Sequence, residues 1–286
     1  VLDYGAYYLT NSEKLKQEAQ KKLAEKIRKF NVTLLSIGNG TASYETEQFA
    51  SKMIEEEKLD CHYIITNEAG ASVYSASKLA IDELPDLDVT IRGAVSIARR
   101  VQDPLAESVK IDPKSIGVGQ YQHDVNQKQL THTLDQVVES VVNHVGVELN
   151  TASPAILQHI AGISGTVAKN IVAFRQENGG FTSRKQLLKV PRLGPAAFTQ
   201  CAGFLRLNGA KNPLDNTSVH PESYELAERI IGELGFTLKD LQDKSQLEAL
   251  QVKLPLVDVD KMAHKLDAGI PTVRDIIAAL AKPDRK

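Results

Sequence analysis

Tryptophan is absent from this 286-residue chain, cysteine and methionine occur twice each, and aromatic residues make up only 5%. With two cysteines, a disulfide scaffold has too little to build on, and both Cys61 and Cys201 sit among apolar neighbours, as buried thiols do. The seven histidines form no Cys/His group with zinc spacing, so neither a structural metal nor a cofactor is expected. No apolar run approaches the roughly 20 residues that a membrane span needs. No signal peptide opens the chain, and it does not start with Met. The expectation is a cytoplasmic protein without a membrane partner, present here as a fragment of something longer.

The informative stretch runs from Leu149 to Leu214, where two similar units stand thirty residues apart. The first reads Leu157-Gln158-His159-Ile160-Ala161-Gly162-Ile163-Ser164-Gly165-Thr166-Val167-Ala168. The second reads Leu187-Leu188-Lys189-Val190-Pro191-Arg192-Leu193-Gly194-Pro195-Ala196-Ala197-Phe198. Each is an apolar helix end, a tight turn centred on a branched aliphatic residue and a second helix, which is the helix-hairpin-helix pattern in tandem. A Gly-rich turn lets backbone approach a ligand closely, and the following helix directs unpaired N–H groups at an anion. Between Thr151 and Pro213, Lys169, Arg175, Arg184, Lys185, Lys189, Arg192, Arg206 and Lys211 face the single acid Glu177, a net +7 in a chain of net charge −2. Charge gathered on one module is the footprint of nucleic-acid binding. A single Gly turn would only join two helices of a bundle; two in-register turns with this charge favour DNA or RNA.

The rest of the chain frames that module. Val1–Leu9, with Tyr4, Tyr7 and Tyr8, has strand character. Asn11 or Ser12 caps a helix carrying Leu15, Ala19, Leu23, Ile27 and Phe30 at helical spacing. Val32–Ile37 and Cys61–Thr66 are short apolar runs, each followed by a helix, the first through Glu57 and the second through Leu79. Such alternation predicts parallel strands, with Asn39, Thr41 and Glu68 on the carboxyl rim where ligands gather. A helix after Asp88 ends at Pro104, and Gly117-Val118-Gly119 lies in a connecting loop that contributes at most an additional contact. A helix from about Leu130 to Val145 leads to the hairpins. Beyond Asn212 the chain reads as mainly helical, with a last helix at Ile276–Leu280 and a polar tail.

Three runs carry a family resemblance: Thr66-Asn67-Glu68-Ala69-Gly70-Ala71-Ser72-Val73-Tyr74-Ser75-Ala76-Ser77, Ile116-Gly117-Val118-Gly119-Gln120-Tyr121-Gln122-His123-Asp124-Val125, and Asn212-Pro213-Leu214-Asp215 through Val219-His220-Pro221-Glu222-Ser223-Tyr224. In this order they resemble the bacterial Tex family of transcription accessory proteins, over essentially the whole chain. The resemblance implies an α/β RNase H-like (YqgF/RuvC-like) domain at 1–110, truncated at its first strand. A connecting loop and helix at 111–148 would follow, then an all-α tandem helix-hairpin-helix domain at 149–214 and a mainly helical segment at 215–286. It also implies nucleic acid as a partner, RNA polymerase as a second one, and further domains outside this chain, including an OB-fold RNA-binding domain.

An RNase H-like nuclease gathers several carboxylates on two divalent metals. In the implied alignment Glu68 stands at the second acid, the first strand is missing, and Arg92 stands where the last helix would bring its acid. A guanidinium repels Mg²⁺, so no catalytic residue is assigned and Glu68 is left vestigial, capping the next helix or pairing with Arg92. The expected binding set is Gly162, Ile163, Ser164, Gly165, Lys169, Arg175, Arg184, Lys185, Lys189, Arg192, Leu193 and Gly194. The two turns read as complementary half-motifs, one keeping Gly162 and the other Gly194, with the Ser164 hydroxyl and the Arg192 guanidinium supplying what the missing glycines do not. The competing expectations are a metal-dependent RuvC-like nuclease or resolvase and a protein-docking scaffold for the transcription machinery.

Overall fold

A computed structural model describes residues 1–9 and 12–281; Asn11 and the tail Lys282–Lys286 lie outside the described residues. The chain divides into two compact units, Val1–Lys128 and Gln129–Lys286.

In the first unit, Val1–Leu9 is irregular and not a strand. Aromatic β preference cannot hold an extended segment without a neighbouring ladder to pair with, and this one is tethered through side chains, with Asp3 bonded to Lys26 at 2.9 Å. Helix α1 (Glu13–Phe30) starts where the Ser12 hydroxyl accepts the Leu15 N–H, and it stops at Asn31 in the left-handed region, with φ 50°. Strand β1 (Leu34–Gly38), helix α2 (Ser43–Glu56) and strand β2 (His62–Thr66) follow. The two strands pair in parallel, Leu34 beside His62 through Gly38 beside Thr66. Ile27, Met53 and Cys61 are buried beneath them.

The helix expected through Leu79 is two helices, α3 (Ala71–Ala76) and α4 (Lys78–Glu83). Ser77 is extended at the junction, and its hydroxyl caps the second by accepting the Ala80 N–H. Asp88 caps α5 (Val89–Gln102), and Asp103 with Pro104 opens α6 (Pro104–Ser108). The short α7 (Pro113–Ile116) ends at Gly117, φ 81°, in an exposed loop. Helix α8 (Gln127–Val145) leads into the second unit.

There, strand β3 (Val147–Glu148) is followed by α9 (Pro154–Leu157), α10 (Gly165–Asn178), a 3-10 segment at Arg184–Lys189, α11 (Pro195–Cys201) and strand β4 (Leu205–Arg206). β3 and β4 pair in parallel, closing the tandem hairpins at their base. Helices α12 (Tyr224–Glu233), α13 (Lys244–Lys253), α14 (Val259–Leu266) and α15 (Ile270–Ala281) complete the unit around a core that includes Ile230, Ile231, Leu250, Val273 and Ile276.

Candidate nucleic-acid interface

The two hairpin turns share one backbone despite their different letters. Gly162 has φ 79° and Arg192, thirty residues on, has φ 67°. Ile163 and Leu193 plug into the core, and their N–H groups donate to Ile160 and Val190 at 3.0 and 3.1 Å. Ser164 and Gly194 are the extended caps of α10 and α11. Across each cap the first helical bond forms alike, Ala168 to Ser164 at 2.8 Å and Phe198 to Gly194 at 2.9 Å. The half-motifs are therefore conformationally whole. Arg192 adopts a left-handed conformation that glycine would adopt freely, at a cost of roughly 1 kcal/mol.

The units also grip each other reciprocally. A Cβ at Gly162 would meet Gln200 Cβ at 2.8 Å and the Ala197 carbonyl at 3.1 Å. At the equivalent place in the other unit, the Asn170 side chain donates to the Pro191 carbonyl at 2.8 Å. Each turn thus rests on the second helix of the other hairpin, an internal two-fold relation that single-sequence reading did not supply.

Among the cations the structure separates two populations. Lys169, Lys185, Lys189, Arg192 and Lys211 are exposed, as are Gly162, Ser164, Gly165 and Gly194. Arg184 is not available to a ligand. It is 1% exposed, and its guanidinium donates to the carbonyls of Leu205 (2.8 Å), Val219 (2.8 Å) and Thr217 and to the Tyr224 hydroxyl (2.8 Å). Arg175 also turns inward, its Nη1 donating to Leu149 at 3.0 Å and Ala152 at 2.9 Å, and burial lowers its pKa. Both leave the binding set for the same reason: an always-charged guanidinium that is desolvated spends its donors on carbonyl oxygens. The Ser164 hydroxyl caps α10 by accepting the Val167 N–H at 3.3 Å, so its first duty is to the helix. Gly117 and Gly119 lie in open surroundings, with nothing within 4 Å of where a Cβ would stand.

At the strand rim of the first unit, Asn39 Oδ1 accepts the Glu68 N–H at 3.0 Å. The Glu68 carboxylate lies over Gly38 and Gly40, in space that a Cβ at either position would fill. It neither caps α3, whose N-cap Gly70 has no side-chain bond, nor pairs with Arg92. The cation at this rim is Arg100, two helical turns further along α5, whose Nη1 donates to the Asn67 carbonyl at 2.7 Å. Burial lowers the Arg100 pKa, opposed by the charges of Glu107 and Glu68. Among the described residues no three His, Cys, Asp or Glu side chains converge as metal ligands would.

The C-terminal segment, read from sequence only as helical, repeats the turn. Gly235 (φ 85°) precedes buried Phe236 and the cap Thr237, and Asp267 (φ 51°) precedes Ala268 and Gly269, where Val273 donates to Gly269 at 3.0 Å. Its apolar turn centres, Phe236 and Ala268, were the legible signal. Its charge differs: acids outnumber bases twelve to seven between Asn212 and Ala281.

An RNase H-like layer joined to successive hairpin modules defines the class. Residues 1–102 match the Tex protein YqgF-like domain, 142–206 the helix-hairpin-helix motif, and 212–286 a further HHH domain. The chain is 58% identical over 259 residues to protein YhgF of Escherichia coli, covering 90% of this chain and 32% of that protein. It is 53% identical over 264 residues to transcriptional accessory protein Tex of Neisseria gonorrhoeae (92% and 34%), and 42% identical over 316 residues to human S1 RNA-binding domain-containing protein 1 (91% and 32%). The chain belongs to the Tex family. It spans about a third of the length of these curated relatives.

Proposed function

We propose that residues 142–206 bind the backbone of RNA or DNA with little regard for sequence, as part of a cytoplasmic transcription accessory factor acting with RNA polymerase, and that the YqgF-like domain hydrolyses nothing. The observation that carries this reading is the pair of equivalent turns, Gly162-Ile163-Ser164 and Arg192-Leu193-Gly194, with Lys169, Lys185, Lys189 and Arg192 exposed around them. A relative named for transcription and another named for an S1 RNA-binding domain support the setting. Support for the absence of hydrolysis comes from the rim, where the guanidinium of Arg100 brings a positive charge near Glu68 and Glu107 that opposes a divalent cation.

Phosphate contacts fix register and carry little sequence information. Each neutralised phosphate adds a slope of about −0.9 to log K against log salt on duplex, or about −0.7 on single strands. Titration of a labelled oligonucleotide at several salt concentrations tests the reading. Lys169→Gln with Arg192→Gln flattens the slope by about 1.8 on duplex or about 1.4 on single strands. An unchanged slope in that variant overturns the assignment.

A further inference from the structure

The second unit holds a cleft of about 670 Å³ that the hairpin turns do not use. His144 and Arg206 line it from the hairpin module, Asn216 and Ser218 from the segment after Asn212, and Gln242 and Gln251 from the C-terminal helices. Its size lies within the range of small-ligand sites, about 300–1,000 Å³.

Four features of the lining define the ligand chemistry. Among the described residues no Asp or Glu lines it, although acids outnumber bases in the region supplying much of the wall. The cationic group is Arg206, 8% exposed and held in place: its Nη1 donates to the Gly203 carbonyl at 2.6 Å, and its Cζ would lie 2.8 Å from a Cβ at Gly146, which glycine leaves out. An acid-free wall with a positioned guanidinium suits an anion, and guanidinium geometry suits phosphate. Besides the His144 imidazole, the remaining polar side chains are amides and hydroxyls, which both donate and accept, as sugar hydroxyls require of a partner. Among the described residues no Phe or Tyr lines the cleft, and His144 supplies its aromatic ring.

We infer that this cleft takes a ribose-phosphate unit of an RNA strand, the phosphate toward Arg206 and the ribose hydroxyls toward the side-chain amides. It would be the place where the protein distinguishes RNA from DNA, since the 2′-hydroxyl is the group that differs. The inference rests on the reading of this unit as a nucleic-acid binder and adds the sugar to it.

The experiment compares single-stranded RNA and DNA of one sequence, by fluorescence anisotropy, on the wild-type chain and on Gln251→Glu and Asn216→Asp. Both variants keep side-chain size and add a negative charge to the wall, and thermal melting confirms that each folds. Wild type is expected to bind RNA more tightly than DNA, and either variant to lose about tenfold in RNA affinity with little change on DNA, as one charge-opposed contact predicts. Equal wild-type affinities for RNA and DNA overturn the inference, as does wild-type RNA binding by both folded variants. The hairpin variant Lys169→Gln with Arg192→Gln reads the underlying function separately, because it lowers RNA and DNA binding together. If that variant binds normally while Gln251→Glu still loses RNA affinity selectively, the hairpin assignment falls and the cleft stands.

Discussion

Arg184 and Asp215 are joined twice. The Arg184 N–H donates to Asp215 Oδ2 at 3.1 Å, and the Tyr224 hydroxyl bridges the pair, accepting from the Arg184 guanidinium at 2.8 Å and donating to Asp215 Oδ1 at 2.6 Å. Both ionic side chains are buried, at 1% and 2% exposure. The run Asn212–Tyr224, which marks the family resemblance, is folded around this one arginine of the hairpin module. It works as a fastening between modules.

Arg184→Ala leaves the carbonyls of Leu205, Val219 and Thr217 without their donor and the buried Asp215 carboxylate without its opposite charge, and should destabilise the second unit by about 3–5 kcal/mol. Arg184→Lys recovers only part, because an ammonium cannot reach all those oxygens. Tyr224→Phe, which removes only the bridge, should cost about 1–2 kcal/mol. Urea unfolding measures all three. A stability loss for Arg184→Ala below that of Tyr224→Phe would contradict the clamp.

The two turns should respond oppositely to substitution. Gly162→Ala places a methyl against Gln200 and the Ala197 carbonyl at positive φ, so it destabilises, by more than 1 kcal/mol. Arg192→Gly relieves a left-handed arginine and should leave stability unchanged or raise it by up to about 1 kcal/mol, while lowering the salt slope of oligonucleotide binding by about one phosphate contact. Melting temperature and slope, measured on the same samples, separate the two effects.

Burial pushes the Cys201 thiol up to about 12, and it raises Cys61, Tyr74 and Tyr224 in the same direction. A raised folded pKa favours the neutral group in the native state, so this stability is complete below the unfolded thiol pKa. It is lost as pH climbs from about 8.5 toward 12. Melting temperature should therefore fall through that window, and Cys201→Ala should lessen the fall. At neutral pH both thiols should resist iodoacetamide until urea unfolds the chain, read by mass spectrometry.

Incubation with branched and single-stranded substrates in Mn²⁺ tests the nuclease alternative directly. No cleavage is expected. Cleavage that Glu68→Gln abolishes would return Glu68 to a catalytic role. Gly40→Ala is a companion probe: its methyl would displace the Glu68 carboxylate, the far end of a flexible side chain, so the stability cost should stay below about 1 kcal/mol.

What the sequence determined alone was local and periodic. The parallel pairing of β1 with β2 was legible from two apolar runs each followed by a helix. Both hairpins were legible because Ile163 and Leu193 stand in register between helical patterns, and the family followed from three long signatures. Charge counting also worked as a statement about composition, but it could not say which way a side chain turns. Lys169 and Arg192 face solvent, while Arg175 and Arg184 face carbonyls, because tertiary packing alone sets where unpaired oxygens lie. The same limit explains the strand misread at Val1–Leu9, where β preference had no ladder to join. It also explains the misread turn letters: positive φ at Arg192 is enforced by packing against the neighbouring hairpin and not by the residue's own preference. Only the assembled fold brought Arg206 and Gln251, far apart in the chain, into the lining of one cleft.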